Sequence, residues 1–435
     1  MSRYSIIGAT PEQVTGAGGT NVKPMRFSGI VFADMEEASA NILRAQGATV
    51  APVNQVGTDL VTTHVMPGVE TPVPIAAIPT YSPADITKIA GFDELRAITD
   101  PPLYGEGINL AVIGTGIRET HEQINGRVVY RKNYTTDTMD DGFDHDTGCA
   151  AIAITVAPKC GILNMKVIGS SGQGSEEDVV EAIEDCITLH ETGSEFAPSV
   201  LNLSLGTSDD GNPNTPLRVA CRTAIEVGLW VFAAAGNLGP YHGTITSPAS
   251  ERYVFAVGSS KYLAEQQSFI VSDFSSRGPT LEGYTKPDGV LFGEDVLVAS
   301  SKSDTATIAK SGTSFAAPFG AGMAVIFLDG INRQARTLVD LGDLPAANFY
   351  FVPPATVIDT YFPRICIKPT GIASGKDQEY GWGLPYGPKI MLAVEGGAGL
   401  GDMTSILPLM MMIPMMGMMM KTMSGSLVTA KSKAK

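Results

Sequence analysis

The chain has 435 residues, 44% of them hydrophobic and 17% charged, which excludes wholesale disorder and leaves room for one large domain or two or three smaller ones. A formal net charge of −15 argues against nucleic acid as a partner, because phosphate contacts need clustered Lys and Arg. Five cysteines (Cys149, Cys160, Cys186, Cys221 and Cys366), odd in number and with no C-x-x-C pair, fit neither a disulfide framework nor a zinc site and read as buried thiols of a reducing compartment.

The amino-terminal stretch MSRYSIIGATPEQVTG has no continuous apolar run, so no secretory signal is read and a cytoplasmic location is expected. Residues 1–22 read as a flexible lead. Residues 23–66 read as a small α+β domain: a strand over Phe27–Phe32, a helix over Asp34–Gln46, and a short strand over Ala48–Ala51. In the helix, Met35, Ala38, Ile42 and Ala45 share one face, Asp34 with Glu37 resembles a capping box, and Gly47 is a stop. Residues 67–83, with five prolines, read as a linker.

From residue 84 to about 395 apolar runs alternate with helical patterns. Strands are expected at Leu110–Ile113, Gly161–Val167, Val200–Leu205, Leu229–Ala234 and Val254–Val257. Helices are expected at His145–Val156, Glu176–His190, Pro216–Val227 and Thr313–Leu328. Continuous apolar strands between helices imply an α/β fold with a mostly parallel sheet covered on both faces, whose site lies at the carboxyl ends of the strands. Residues 396–435 form a tail rich in methionine. Met403 to Met420 carries no charge but is interrupted by Pro408, Pro414 and Gly417, and Lys421, Lys431, Lys433 and Lys435 follow it. A tail of adaptable Met side chains suits a protein partner, with membrane association as the alternative.

Three segments carry chemistry. In SGTSFAAPFGAGMAVI, Ser314 opens a helix, in a positive field beside backbone N–H groups, and is a candidate nucleophile; a plain N-cap serine is the simpler account. In FDHDTGCAAIAI, His145 begins a helix of small residues. In VFAAAGNLGP, Asn237 follows an apolar strand and can aim its amide into a cleft, or serve as a turn residue.

The order of these segments (a strand-end G-T-G, then H-D-T-G-C-A, then S-L-G, A-A-G-N and S-G-T-S-F-A-A-P) resembles the subtilisin-like serine proteases, or subtilases, over roughly residues 83–395. SPADITKIAGFDELRAI, SVLNLSLG, FSSRGP, KPDG and YGWGL are also similar to segments of that family. The resemblance implies Ser314 as nucleophile, His145 as general base, and Asn237 with the Ser314 backbone N–H as oxyanion hole. It also implies that Leu203, Ser204, Leu205, Gly206, Ala234, Ala235 and Gly236 flank an apolar P1 side chain. Two positions depart from the family pattern. Gly114 stands where a strand ending in D-T-G or D-S-G carries the aspartate that orients the histidine, and Asp146 replaces the glycine of H-G-T.

Losing that aspartate is expected to cost roughly 6 kcal/mol of barrier. Three readings are open: a peptidase with a substitute acid from Asp141, Asp144, Asp146 or Glu119, a weakened Ser–His dyad, and an inactive peptide-binding protein. A structural or membrane-associated assembly protein using the tail is a further alternative. Asp146 looks awkwardly placed, since neighbours on a helix point about 100° apart. On that view Gly114→Asp should raise hydrolysis. The small domain sits where many subtilases carry an inhibitory propeptide, in which case its carboxyl-terminal segment should lie in the cleft and be cut between about Val65 and Tyr81. Peptides or proteins are the expected substrates. No cofactor is expected; the resemblance leaves structural calcium open, but no D-x-[DN]-x-[DN]-G run nominates its ligands.

Overall fold

A computed structural model describes residues 1–58, 80–340 and 352–394. The bulk of the proline-rich linker, the Val65–Tyr81 processing segment except its last two residues, and the Met-rich tail lie outside the described residues.

The chain begins in order. Residues 1–22 are not a flexible lead: β1 (Ser2–Ile7) is an inner strand of a four-stranded antiparallel sheet, and α1 (Pro11–Gly16) follows with a complete capping box between Thr10 and Gln13. Tyr4 and Ile6 alternate inward along a strand too short to stand out in sequence. The sheet is completed by β2 (Thr20–Pro24), β3 (Ile30–Met35) and β4 (Thr49–Pro52), in the order β2-β3-β1-β4, with α2 (Glu37–Ala45) packed on it. Asp34 does not cap α2. It lies in β3 and accepts from Asn21 Nδ2 at 2.6 Å and from Arg3 at 3.4 Å.

Strand β3 explains how this unit attaches. Val31, Ala33 and Met35 face the unit's own core, whereas Ile30 and Phe32 join the core of the larger body. Polar contacts reinforce the seam: Arg3 Nε donates to Glu177 at 2.7 Å, and the Phe27 and Ser28 N–H groups donate to Glu184 at 2.8 and 2.7 Å. The unit then ends in β5 (Gln55–Gly57), which leaves its sheet and pairs elsewhere.

The larger body opens with α3 (Pro83–Ile89), capped by Ser82, and α4 (Phe92–Ile98). Its parallel strands are β6 (Asn109–Gly114), β7 (Val128–Asn133), β8 (Gly161–Lys166), β10 (Pro198–Leu203), β11 (Trp230–Ala234) and the first part of β12 (Phe255–Leu263). The short β9 (Gln173–Ser175) lies outside that sheet. The sheet runs β13-β12-β11-β10-β6-β8-β7, with β13 (Ser268–Val271) antiparallel at one edge and β14 (Gly289–Phe292) pairing β12 in parallel. A further pair, β15 (Val296–Ala299) and β16 (Thr307–Lys310), lies outside this sheet. On β6, Leu110 and Val112 point into the core beneath α5 (Asp146–Val156) and α8 (Thr313–Asp340). Ala111 and Ile113 point into the core beneath α6 (Glu176–Glu191) and α7 (Pro216–Glu226). This is the double-sided burial expected of an α/β sheet. Thr313–Arg333 of α8 is long and apolar enough to cross a membrane, but its apolar window is wholly buried, as in a core helix.

Order reverses at β6, with β8 on one side and β10 on the other. The crevice at such a switch point is where the carboxyl ends of β6, β10 and β11 deliver Gly114, Ser204 and Ala235 to a common region.

Candidate active site

Ser314 is held by the way α8 begins. Pro318 has no N–H, so the intrahelical bond that residue 318 would return to the Ser314 carbonyl is missing. That carbonyl accepts instead from Ser204 Oγ at 2.7 Å and from the Cys149 thiol at 3.3 Å. Ser204 Oγ in turn accepts from Asn202 Nδ2 at 3.0 Å, which ties the start of α8 to the end of β10. Ser314 Oγ donates a long bond, 3.4 Å, to the Ser204 carbonyl.

His145 belongs to the loop before α5. The helix starts one residue later than the sequence suggests, and His145 has φ −128° and ψ −60°. The loop is gathered around Asp141, whose carboxylate accepts from the N–H groups of Asp144, His145 and Thr147 and from the hydroxyls of Thr147 and Thr115, all between 2.7 and 3.0 Å. Burial and the neighbouring Asp146 charge push the Asp141 carboxyl above its ordinary range, against the pull of those donors. Cys149, one turn into α5, has its Sγ 3.9 Å from His145 Nδ1, so the ring and the Ser314 carbonyl share one neighbour. The Phe315 ring centroid lies 5.2 Å from that of His145.

One of the candidate acids touches the ring. His145 Nδ1 is 2.6 Å from Asp146 Oδ1, and Asp146 Oδ2 accepts the Thr115 N–H at 2.7 Å. The expectation that Asp146 is awkwardly placed fails because it assumed helical geometry at both residues. The non-helical backbone of His145 turns its side chain onto that of the next residue. The other candidate acids are engaged elsewhere: Asp144 with Ser300 and Ser301, Glu119 with Asn164 and Arg131.

Asn237 follows β11, with Oδ1 accepting from the Thr313 N–H at 2.8 Å and from the Thr313 hydroxyl at 3.0 Å. This fixes which end of the amide is the oxygen and sets Asn237 directly beside Ser314. Three segments remote in sequence therefore meet at one corner of the crevice. His145 is 1% exposed and Ser314 0%. Among the described residues His145 Nε2 has no hydrogen-bond partner, and Ser314 Oγ is turned to Ser204 rather than to the ring.

Beside this corner run two backbone edges. Strand β9 pairs antiparallel with β5, with Gln55 opposite Ser175, Val56 opposite Gly174 and Gly57 opposite Gln173. On its other side Gly57 exchanges both backbone bonds with Gly206, at 3.2 and 3.0 Å. Val56 is buried in the cluster that contains Ile168 and Leu205. The extended end of the amino-terminal unit thus lies between β9 and the segment after β10, where Leu205 and Gly206 were expected to flank a bound peptide. Of the remaining expected wall residues, Leu203, Ser204, Ala234, Ala235 and Gly236 are buried around the same strand ends.

His145, Asp146 and Cys149 place potential metal-ligating atoms within 4.8 Å of one another. The carboxylate oxygens are already occupied by the ring and by Thr115, and burial pushes the Cys149 thiol well above its ordinary range, so this donor set does not fit a cation well.

The subtilase family model matches residues 105–339, more than half of the chain. The chain belongs to the subtilase family. Among curated subtilases it is 32% identical over 257 residues to the serine protease AprX of Bacillus subtilis (strain 168), covering 52% of this chain and 58% of that protein. It is 33% identical over 238 residues to subtilisin-like protease 1 of Trichophyton tonsurans, covering 53% of this chain and 43% of that protein. With subtilisin-like protease 1 of Arthroderma gypseum it shares 32% over 259 residues, covering 58% and 50%. The chain spans about half the length of these relatives. The α/β subtilase fold expected from the sequence is the one observed.

The sequence does not single out Thr115, whose N–H and hydroxyl bracket Asp146, or Asn202 and Cys149, and it offers Asp141 as an acid for the ring where the structure uses it to gather the loop. The signal for the acid was present in two motifs at once: G-T-G where the family carries D-T-G, and H-D-T where it carries H-G-T.

Proposed function

We propose that this subtilase is a serine endopeptidase in which Ser314 is the nucleophile, His145 the general base, and Asn237 with the Ser314 N–H the oxyanion hole. The observation that carries the reading is the convergence of the three segments: the Ser314 carbonyl on Ser204 and Cys149, Cys149 against the His145 ring, and Asn237 locked onto Thr313. Catalysis requires the Ser314 hydroxyl to leave the Ser204 carbonyl for His145 Nε2. Such bonds are often long before substrate arrives. The hydroxyl proton then passes to Nε2 as Oγ attacks the scissile carbonyl. The developing oxyanion is met by the donor end of the Asn237 amide, and Nε2 returns the proton to the leaving amine.

Peptide substrates bind as an extended strand between β9 and Gly206, as β5 does, with apolar side chains favoured at P1 by the uncharged walls. The amino-terminal unit acts as a built-in inhibitor through that strand. A second reading, a peptide-binding protein that does not cut, is favoured by the unpartnered Nε2 and the burial of both reacting groups.

A fluorophosphonate probe applied to the full chain separates the two. Labelling that disappears in Ser314→Ala, together with cleavage of peptides bearing apolar P1 residues, is expected. A chain that never labels while still binding peptides would remove the peptidase reading and leave the second.

A further inference from the structure

We infer that Asp146 is the positioning residue that orients His145, and that the chain has exchanged the acid and the glycine between two motifs, with Gly114 vacating the space that the Asp146 carboxylate fills. This deepens the peptidase reading and rests on it for its catalytic consequence.

The exchange is steric and reciprocal. A Cβ built on Gly114 would lie 2.8 Å from Cγ and 3.1 Å from Oδ1 of Asp146, and closer still to Oδ2. No residue with a side chain fits at 114 while Asp146 holds its place. A glycine at 146 would conversely leave the ring without its carboxylate. The acid has moved from the end of β6 to the first residue of α5 and still reaches the same point in space, beside His145 Nδ1.

The carboxylate is held rather than merely near. Oδ1 meets Nδ1 at 2.6 Å and Oδ2 takes the Thr115 N–H at 2.7 Å. The Asp146 N–H donates to Thr115 Oγ1 at 3.0 Å, and that hydroxyl donates onward to Asp141 at 2.9 Å. Thr115 therefore grips the backbone and the side chain of Asp146 together. Both His145 and Asp146 are about 1% exposed, so their interaction is little weakened by water. The buried Lys166 donates to the carbonyls of Thr115 and Asp140 rather than to Asp146.

The chemical consequence is a fixed tautomer. An Asp146 carboxylate that accepts Nδ1–H leaves Nε2 as the basic nitrogen. When Nε2 takes the Ser314 proton, the imidazolium that forms faces the carboxylate that holds its other nitrogen.

The test uses the full chain with ¹⁵N-labelled histidine. A far-downfield Nδ1–H resonance should be lost in His145→Gln and lost or shifted sharply upfield in Asp146→Asn. Turnover, or the rate of Ser314 labelling, should fall roughly 10⁴-fold in Asp146→Asn with KM little changed, comparable with the ~3 × 10⁴ lost on removing the orienting aspartate of subtilisin. Gly114→Asp alone should also be crippled. Gly114→Asp combined with Asp146→Gly, which restores the family arrangement, should recover activity to within about tenfold of the starting chain. Wild-type turnover in Asp146→Asn, or a downfield resonance indifferent to that substitution, would overturn the inference. A chain that shows the resonance and its loss in Asp146→Asn but has no Ser314-dependent chemistry would sink the peptidase reading and leave the Asp146–His145 arrangement standing.

Discussion

Gly114 and Asp146, 32 positions apart, share one volume: the carboxylate of the second occupies the place of a side chain on the first. Gly114→Ala is the smallest probe of that relationship. The added methyl group cannot coexist with the carboxylate, so Asp146 must leave the ring or β6 must shift. A loss of about 1–3 kcal/mol in chemical denaturation is expected, the usual cost of overpacking a dense core. The downfield His145 proton should disappear with it. Gly114→Asp, which the sequence alone marks as a repair, is expected to lower hydrolysis for the same reason. An alanine variant with unchanged stability and an unchanged ring proton would show that the site has more room than the structure gives it.

A second prediction concerns Ser204 and Pro318. The Ser204 hydroxyl takes the place of the N–H that Pro318 lacks, donating to the Ser314 carbonyl at 2.7 Å while accepting from Asn202 at 3.0 Å. Ser204→Ala removes the acceptor of the buried Asn202 amide and leaves the Ser314 carbonyl with the Cys149 thiol alone, and should cost about 1–3 kcal/mol. Pro318→Ala restores an N–H that can close the helical bond to Ser314. The double variant should therefore be more stable than the sum of the single changes predicts, by about 0.5 kcal/mol or more in a double-mutant cycle. Strict additivity would mean that the two groups do not serve the same carbonyl.

The fold was legible because the apolar runs that became β6, β8, β10 and β11 are buried on both faces, so their continuous hydrophobicity left little choice of class. Ser314, His145 and Asn237 were legible as candidates because each lies in a short motif at a strand or helix end. Two features were hidden. Strand β1 alternates over only six residues before Gly8, and its partners β3 and β4 come some thirty and fifty residues later, so it reads as a polar lead. The role of Asp146 depends on the backbone angles of His145, which no periodicity reports. The paired departures at Gly114 and Asp146 were visible separately, but only the fold puts them in one space.

Asp178, in the first turn of α6, gives a pH-dependent prediction. Burial, with the adjacent Glu177 charge, raises its carboxyl from 3.8 to about 6. The folded chain holds this proton more tightly than the unfolded chain does. Its contribution is therefore complete below 3.8 and is lost as pH rises through about 6. Because the group is only partly buried, screening reduces the effect to about 1 kcal/mol or less. Asp178→Asn removes the titration, so its stability relative to the starting chain should improve between pH 4 and pH 7. Equilibrium denaturation at the two pH values measures this, and a difference that is flat or opposite in sign would contradict it.

Val56 tests the amino-terminal unit as an inhibitor. Its side chain is 1% exposed in the cluster with Ile168 and Leu205, while the backbone around it is paired on one side by β9 and on the other, through Gly57, by Gly206. An aspartate at this position would place an unpaired charge in an apolar pocket, which costs several kcal/mol and is relieved simply by undocking β5. The four-stranded sheet has its own core and a separate seam to α6 through Arg3 and Glu184, so the unit need not unfold for the strand to leave. Val56→Asp should therefore label with the fluorophosphonate probe at least about tenfold faster than the starting chain, equivalent to about 1.4 kcal/mol of released occlusion. Val56→Ile, which keeps the pocket filled, should leave the rate unchanged. Equal labelling of all three chains would mean that β5 does not control access to Ser314, and the crevice would then have to admit peptides by a route that leaves this strand in place.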